Sequence, residues 1–112
     1  MNKEILNNVD DIIDTIKSSE DYKDYIYLKE KLSKHDKANT LIKEIKKTQK
    51  ELVKKESNKE DIKDLEDKIN NNLKELNKIP LYVDFINKQE SLNELYQVIK
   101  TRLDDYFYNK LN

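Results

Sequence analysis

The chain has 112 residues with 22 basic and 23 acidic side chains, a formal net charge of −1, and 36% hydrophobic against 40% charged residues. With a mean hydropathy of −1.02 it holds too little apolar material for a thick globular core, and its length supports one domain at most. The absence of cysteine excludes disulfides, thiolate zinc sites, iron–sulfur clusters and a cysteine nucleophile.

A charge-rich, apolar-poor chain is either disordered or helical with its apolar residues gathered in narrow stripes. Net charge near zero and apolar recurrence at helical spacing favour folded helices. With no glycine and one proline there is almost no material for hairpin turns. The expected fold is therefore all-α. It is a single domain, residues 1–112, of about five helices with a long antiparallel hairpin and a long C-terminal helix.

Ile5, Val9, Ile12, Ile13 and Ile16 fall on one face of a helix from about residue 3 to 17. In the "SSEDY" that follows, Ser18 with Asp21 three residues on resembles a capping box with a shorter acid. The second helix turns Tyr22, Tyr25, Ile26 and Leu32 toward a common side. Asp36, within "SKHDKAN", is the expected N-cap of the third.

Leu41, Ile42, Ile45, Leu52 and Val53 mark the third helix over about 37–55, with Thr48 and Gln49 in the intervening turn. Ile62, Leu65, Ile69, Leu73 and Leu76 mark the fourth over about 59–77. Four of these, Ile62, Leu65, Ile69 and Leu76, fit heptad a and d positions, and Asn72 occupies one seam position. The link "KESNKED", with Ser57 and Asn58 as turn and cap residues, is too short for anything but a reversal. Two helices, each roughly 30 Å long, then lie antiparallel as a hairpin.

Pro80 cannot continue that fourth helix, because its ring displaces the hydrogen bond to the Leu76 carbonyl. Ile79, preceding the proline, is disfavoured from helical angles, whereas proline is well tolerated in the first turn of a new helix. Pro80 therefore marks a hinge. In the last helix, about 81 to 109, Phe85, Leu92, Ile99 and Tyr106 recur in steps of seven, and Leu95, Tyr96, Leu103 and Phe107 widen the stripe. Helices that are apolar on one stripe only must bury it against one another or a second copy, so an oligomerising bundle, dimeric or higher, or a heteromeric partner is expected. The interface residues expected on the hairpin are Leu41, Ile45, Leu52, Ile62, Leu65, Ile69 and Leu76. Tyr82, Phe85 and Ile86, just after the hinge, form the best candidate contact surface for a partner.

The chemistry-bearing residues make no catalytic pattern. His35, the one histidine, is adjacent to Asp36, and neighbours in a helix do not face each other. Asp10, Asp11 and Asp14, like Asp61, Asp64 and Asp67, fan along exposed faces where a hard cation needs convergent oxygens. No metal, cofactor or catalytic residue is expected. Lys43, Lys46, Lys47, Lys50 and Lys54 line one side of the third helix. Of these, Lys43, Lys47, Lys50 and Lys54 are the candidate RNA-contacting residues. Direct nucleic-acid binding is disfavoured by the near-neutral charge, the acidic neighbouring helix and the lack of interleaved aromatics. No apolar run approaches the roughly 20 residues that span a bilayer. The start "MNKEILNNVDDIID" lacks the signature of a signal peptide, so the expectation is a cytoplasmic protein without membrane insertion.

From "SEDYKDYIYLKEKLSKHDKANTLIKEIKKTQKEL" through "LNKIPLYVDFINKQESLNELYQVIK" the order of features resembles the YlbF/YmcA family of small helical bacterial regulatory proteins. Ser19, Tyr22, Tyr25, Leu32, Asp36, Leu41, Ile42 and Gln49 fit the family's pattern, as do Pro80 and Phe85, and the "NKIPLYVDF" junction looks closer to the YmcA branch. The resemblance implies an all-helical, non-enzymatic adaptor that self-associates. It also implies work with YaaT-like and YlbF-like proteins on the endoribonuclease RNase Y, in mRNA processing that affects competence, sporulation and biofilm formation. Some members hold iron–sulfur clusters through C-terminal cysteines; "DDYFYNKLN" has none, and that property is not carried over.

Overall fold

Asn2 opens the first helix, α1 (Lys3–Lys17): its side-chain oxygen accepts from the Glu4 and Ile5 N–H groups at 2.9 and 3.3 Å. The structure, a computed structural model, describes residues 2–110. Four more helices follow: α2 (Glu20–Ser33), α3 (Asp36–Ser57), α4 (Lys63–Leu76) and α5 (Pro80–Lys110), and no strand occurs among the described residues. The all-α, five-helix expectation holds.

Two neighbouring serines divide the α1–α2 junction. Ser18 is the C-cap of α1, with its hydroxyl donating to the Asp14 carbonyl at 2.9 Å. Ser19 starts α2 instead, its Oγ accepting from the Tyr22 N–H at 3.2 Å. The expected cap on Ser18 is thus displaced by one residue. The same happens at α3. His35, not Asp36, has the extended backbone of an N-cap, and its Nδ1 accepts from the Ala38 N–H at 3.0 Å. Asn39 then donates to the Leu32 and Ser33 carbonyls at 3.2 and 2.8 Å, satisfying the end of α2 from within α3.

The chain divides into two units. One joins residues up to Tyr27 with those from Ile86 on; the other is Leu28–Phe85. In the second unit α3 and α4 pack along their lengths. Lys37 lies 3.8 Å from Glu75, and seven residues later Glu44 lies 3.4 Å from Lys68, so positions advancing on α3 meet positions receding on α4 and the helices run antiparallel. The core of this unit is Leu32, Ala38, Ile45, Leu76 and Ile79, with Leu41, Ile42, Ile69, Leu73, Leu81, Tyr82 and Phe85 packed against it. Thr48 is buried too, and its hydroxyl is satisfied by the Glu44 carbonyl at 2.8 Å.

The reversal between α3 and α4 consumes more chain than the periodicity indicates. Asn58 caps α3, Lys59 takes a left-handed φ of 59°, and the N–H groups of Lys59 and Glu60 donate back to the Glu56 and Lys55 carbonyls at 3.0 and 2.9 Å. That is the pattern of a Schellman closure with lysine where glycine is usual. Asp61 accepts the Lys63 N–H at 3.0 Å, so α4 begins at Lys63 and Ile62 precedes it. At the other end α4 stops at Leu76. The buried Ile79 accepts from the Tyr82 and Val83 N–H groups at 3.0 and 3.2 Å, and Pro80 is the first residue of α5.

Candidate interaction surfaces

No residue of the first unit is buried, among those described. On α1, Ile5 is 60% exposed, and Leu6, Val9, Ile12 and Ile13 are also exposed. On α5 the same holds for Leu95, Tyr96, Val98, Leu103, Tyr106, Phe107 and Tyr108. A monomer that leaves so many large apolar side chains in solvent, aligned on helical faces, presents surface that binding partners cover. Between α1 and α5 runs an open groove of about 400 Å³, lined by Asp11, Ile12, Thr15, Ile16, Ser19, Leu95 and Ile99. The rings of Tyr106 and Phe107 meet edge to face with centroids 5.8 Å apart.

In this unit Lys88 of α5 joins the start of α2, donating to Asp21 at 2.9 Å and lying 3.3 Å from Asp24. The hydrogen bond to Asp21, then that to Asp24, holds the Lys88 pKa above the usual lysine value. These acids lie in the first turns of α2, where negative charge is also favoured by the helix dipole.

The residues expected from sequence at an interface are distributed unevenly. Ile45 and Leu76 lie inside the core of the second unit, and Leu41, Ile69, Tyr82 and Phe85 pack against it. Leu52, Ile62 and Leu65 are half-buried on the hairpin, and Ile86 is half-buried in the unit that contains α1. The periodicity that marks these positions also marks α1 and α5, and periodicity alone does not tell a stripe covered within the chain from one left open. Ala38, Thr48 and Ile79 were not legible as core residues: one is small, one polar, and the third sits beside a helix breaker.

Lys43, Lys46, Lys47, Lys50 and Lys54 are all exposed, on the side of α3 opposite Ile45 and Thr48. Two of them, Lys46 and Lys50, border a shallow depression with Gln49 and Val53. Glu75 is held below the usual carboxylate pKa by the hydrogen bond and charge of Lys78, 2.9 Å away, with a smaller pull from Lys37. Among the described residues no helix is long and apolar enough to cross a membrane.

No individually curated protein matches the chain. Residues 5–105 match the family described as "Control of competence regulator ComK, YlbF/YmcA". That span begins at the first apolar residue of α1 and ends within the last turns of α5, reaching all five helices and taking in the hinge at Pro80 and the exposed apolar residues from Ile5 to Leu103. The chain belongs to the YlbF/YmcA family of regulators.

Proposed function

We propose that the protein is a non-enzymatic regulatory adaptor, acting as one functional domain, that self-associates and binds partner proteins to modulate RNase Y-dependent mRNA processing. The observation that carries this reading is the first unit: α1 and α5 align exposed isoleucine, leucine and aromatic side chains and none of its described residues is buried. Surface of this kind is costly to leave in water and gains most from protein contact. Family membership gives the surface a regulatory setting, control of the competence regulator ComK. The partners expected are YaaT-like and YlbF-like proteins and RNase Y, met in the cytoplasm. The half-buried hairpin residues Leu52, Ile62 and Leu65 are secondary contact candidates. Affinity purification of the full chain from its native host tests the reading. Recovery of a YaaT-like protein or of ribonuclease components is expected; recovery of neither overturns it.

A second reading, direct RNA binding through Lys43, Lys47, Lys50 and Lys54, draws on their shared exposed side of α3. It requires RNA affinity that falls steeply with salt and is abolished by Lys47→Glu with Lys50→Glu.

A further inference from the structure

We propose that the outward face of α3 docks an acidic amphipathic helix of a partner protein, its carboxylates on the lysine stripe and its apolar side chains beside Val53. The proposal rests on the adaptor reading for the presence of a partner. It assigns to the unit Leu28–Phe85 a contact that uses neither α1 nor α5.

Unmatched charge carries the first part of the argument. Lys43, Lys47, Lys50 and Lys54 are separated by four, three and four residues, so they form one seam about 16 Å long. Lys46 flanks the seam, and all five side chains are exposed. Elsewhere Lys34, Lys37, Lys68, Lys78, Lys88 and Lys100 each reach a carboxylate within 3.8 Å. None of the five stripe lysines does so among the described residues. Glu44, three residues before Lys47, is held instead by Lys68 at 3.4 Å. Like charges three and four residues apart destabilise the helix that bears them. An opposed row of carboxylates removes that repulsion, and alternation of four and three is the spacing at which a second helix keeps one face toward the first.

The shallow depression at the edge of the stripe supplies the apolar part. Lys46, Gln49, Lys50 and Val53 border it at i, i+3, i+4 and i+7. Val53 is 65% exposed, and the methylene stems of Lys46 and Lys50 can lie along a partner's apolar side chain while their ammonium groups stay in water. Gln49, also exposed, offers a donor and an acceptor to a polar group at the edge. A row of positive charge beside an apolar seat complements a helix with glutamate or aspartate on one flank and leucine or isoleucine on the next. Nucleic acid fits this face less well. α3 holds no aromatic side chain for base stacking and no arginine for bidentate phosphate contact. An exposed valine adds nothing to phosphate binding, whereas a partner's leucine gains from covering it.

The test is fluorescence anisotropy of labelled probes with the full chain, helicity being followed by circular dichroism. The probes are a helical peptide with glutamate and leucine on adjoining faces, the same peptide with alanine for every leucine, and a uridine RNA oligonucleotide. The first peptide should bind most tightly, and Lys47→Glu with Lys50→Glu should weaken it by about tenfold or more. Val53→Ser, and alanine for leucine in the peptide, should each weaken binding severalfold. A peptide with lysine for every glutamate should bind the charge-reversed variant and not the parent, a rescue that a misfolded variant could not give. Should that variant lose its helices, the amide resonances of the unaltered chain decide: those of residues 43–54 should shift as the first peptide is added. No binding of the acidic peptide, tighter binding of the RNA, indifference to the charge reversal, or shifts confined to α1 and α5 overturns the proposal. Failure of the peptide to bind sinks this docking face and leaves the adaptor reading, carried by α1 and α5, standing. A chain that binds the peptide yet captures neither expected partner removes those partners from that reading and leaves the docking face in place.

Discussion

Lys37 and Glu75 pair across the α3–α4 hairpin at 3.8 Å, and the next pair along it, Glu44 with Lys68 at 3.4 Å, has its charges exchanged between the two helices. The exchange selects a register. A slip of seven residues, which keeps apolar seams in contact, sets Lys37 against Lys68 and Glu44 against Asp61, like against like in both places. Glu44→Lys and Lys68→Glu should each cost up to about 1 kcal/mol, with most of it recovered in the double variant. Urea unfolding of the four proteins closes that cycle.

The left-handed residue at the hairpin turn sets a second expectation. Lys59 holds a φ of 59° in a chain without glycine, and a side chain at that position crowds its own backbone. Lys59→Gly should stabilise the protein by about 1 kcal/mol, whereas Lys59→Val should destabilise it. Denaturant midpoints at unchanged slope measure both.

Leu76 is 1% exposed at the last turn of α4 and belongs to the small core of Leu28–Phe85. Leu76→Ala should cost about 2–5 kcal/mol, from lost burial and the cavity left behind. The Val53→Ala change, at a side chain 65% exposed, should fall within about 0.5 kcal/mol of the parent. Thermal and urea unfolding compare the two.

His35 caps α3 through Nδ1, which must carry no proton to accept the Ala38 N–H. His35→Ala should lose about 1 kcal/mol and His35→Ser should restore most of it, since serine offers an oxygen in the same place. The pair of variants, read by chemical unfolding, separates the cap from any loss of ring packing.

Stability should vary with pH at both ends of the range. Glu75 is held below its usual 4.5 by Lys78, so its contribution is present above that value and is lost as pH falls through the depressed pKa. Lys88 is held above its usual 10.5 by Asp21 and Asp24. Its contribution is complete below that value and is lost as pH rises through the elevated pKa. Both groups are well solvated, so both limbs are shallow. Glu75→Gln should flatten the acid limb and Lys88→Met the alkaline one, in unfolding curves recorded from acid to alkali.

Much of this architecture is legible in the residues alone because helical amphipathicity is strong here and breakers are few. Pro80 divides α4 from α5 as steric exclusion requires, and every helix lies close to its apolar series. The caps of α2 and α3 lie at Ser19 and His35, one residue from the expected Ser18 and Asp36, because a cap depends on which residue leaves helical angles, and composition supplies several good acceptors in a row. α4 starts at Lys63, later than its apolar series indicates, for a related reason. Backbone closure at Lys59 and Glu60 spends residues that the heptad pattern assigned to a helix. The stripes themselves were visible, but not their coverage. Ile45 and Leu76 find shelter inside Leu28–Phe85, while Val9 and Leu103, equally regular in spacing, do not.

Every fully sheltered side chain among the described residues lies between Leu32 and Ile79. Proteolytic nicking of the isolated chain should accordingly begin in α1 and in the distal turns of α5, and trim inward. What survives longest should be a fragment near Leu28–Phe85, long-lived enough to be weighed by mass spectrometry.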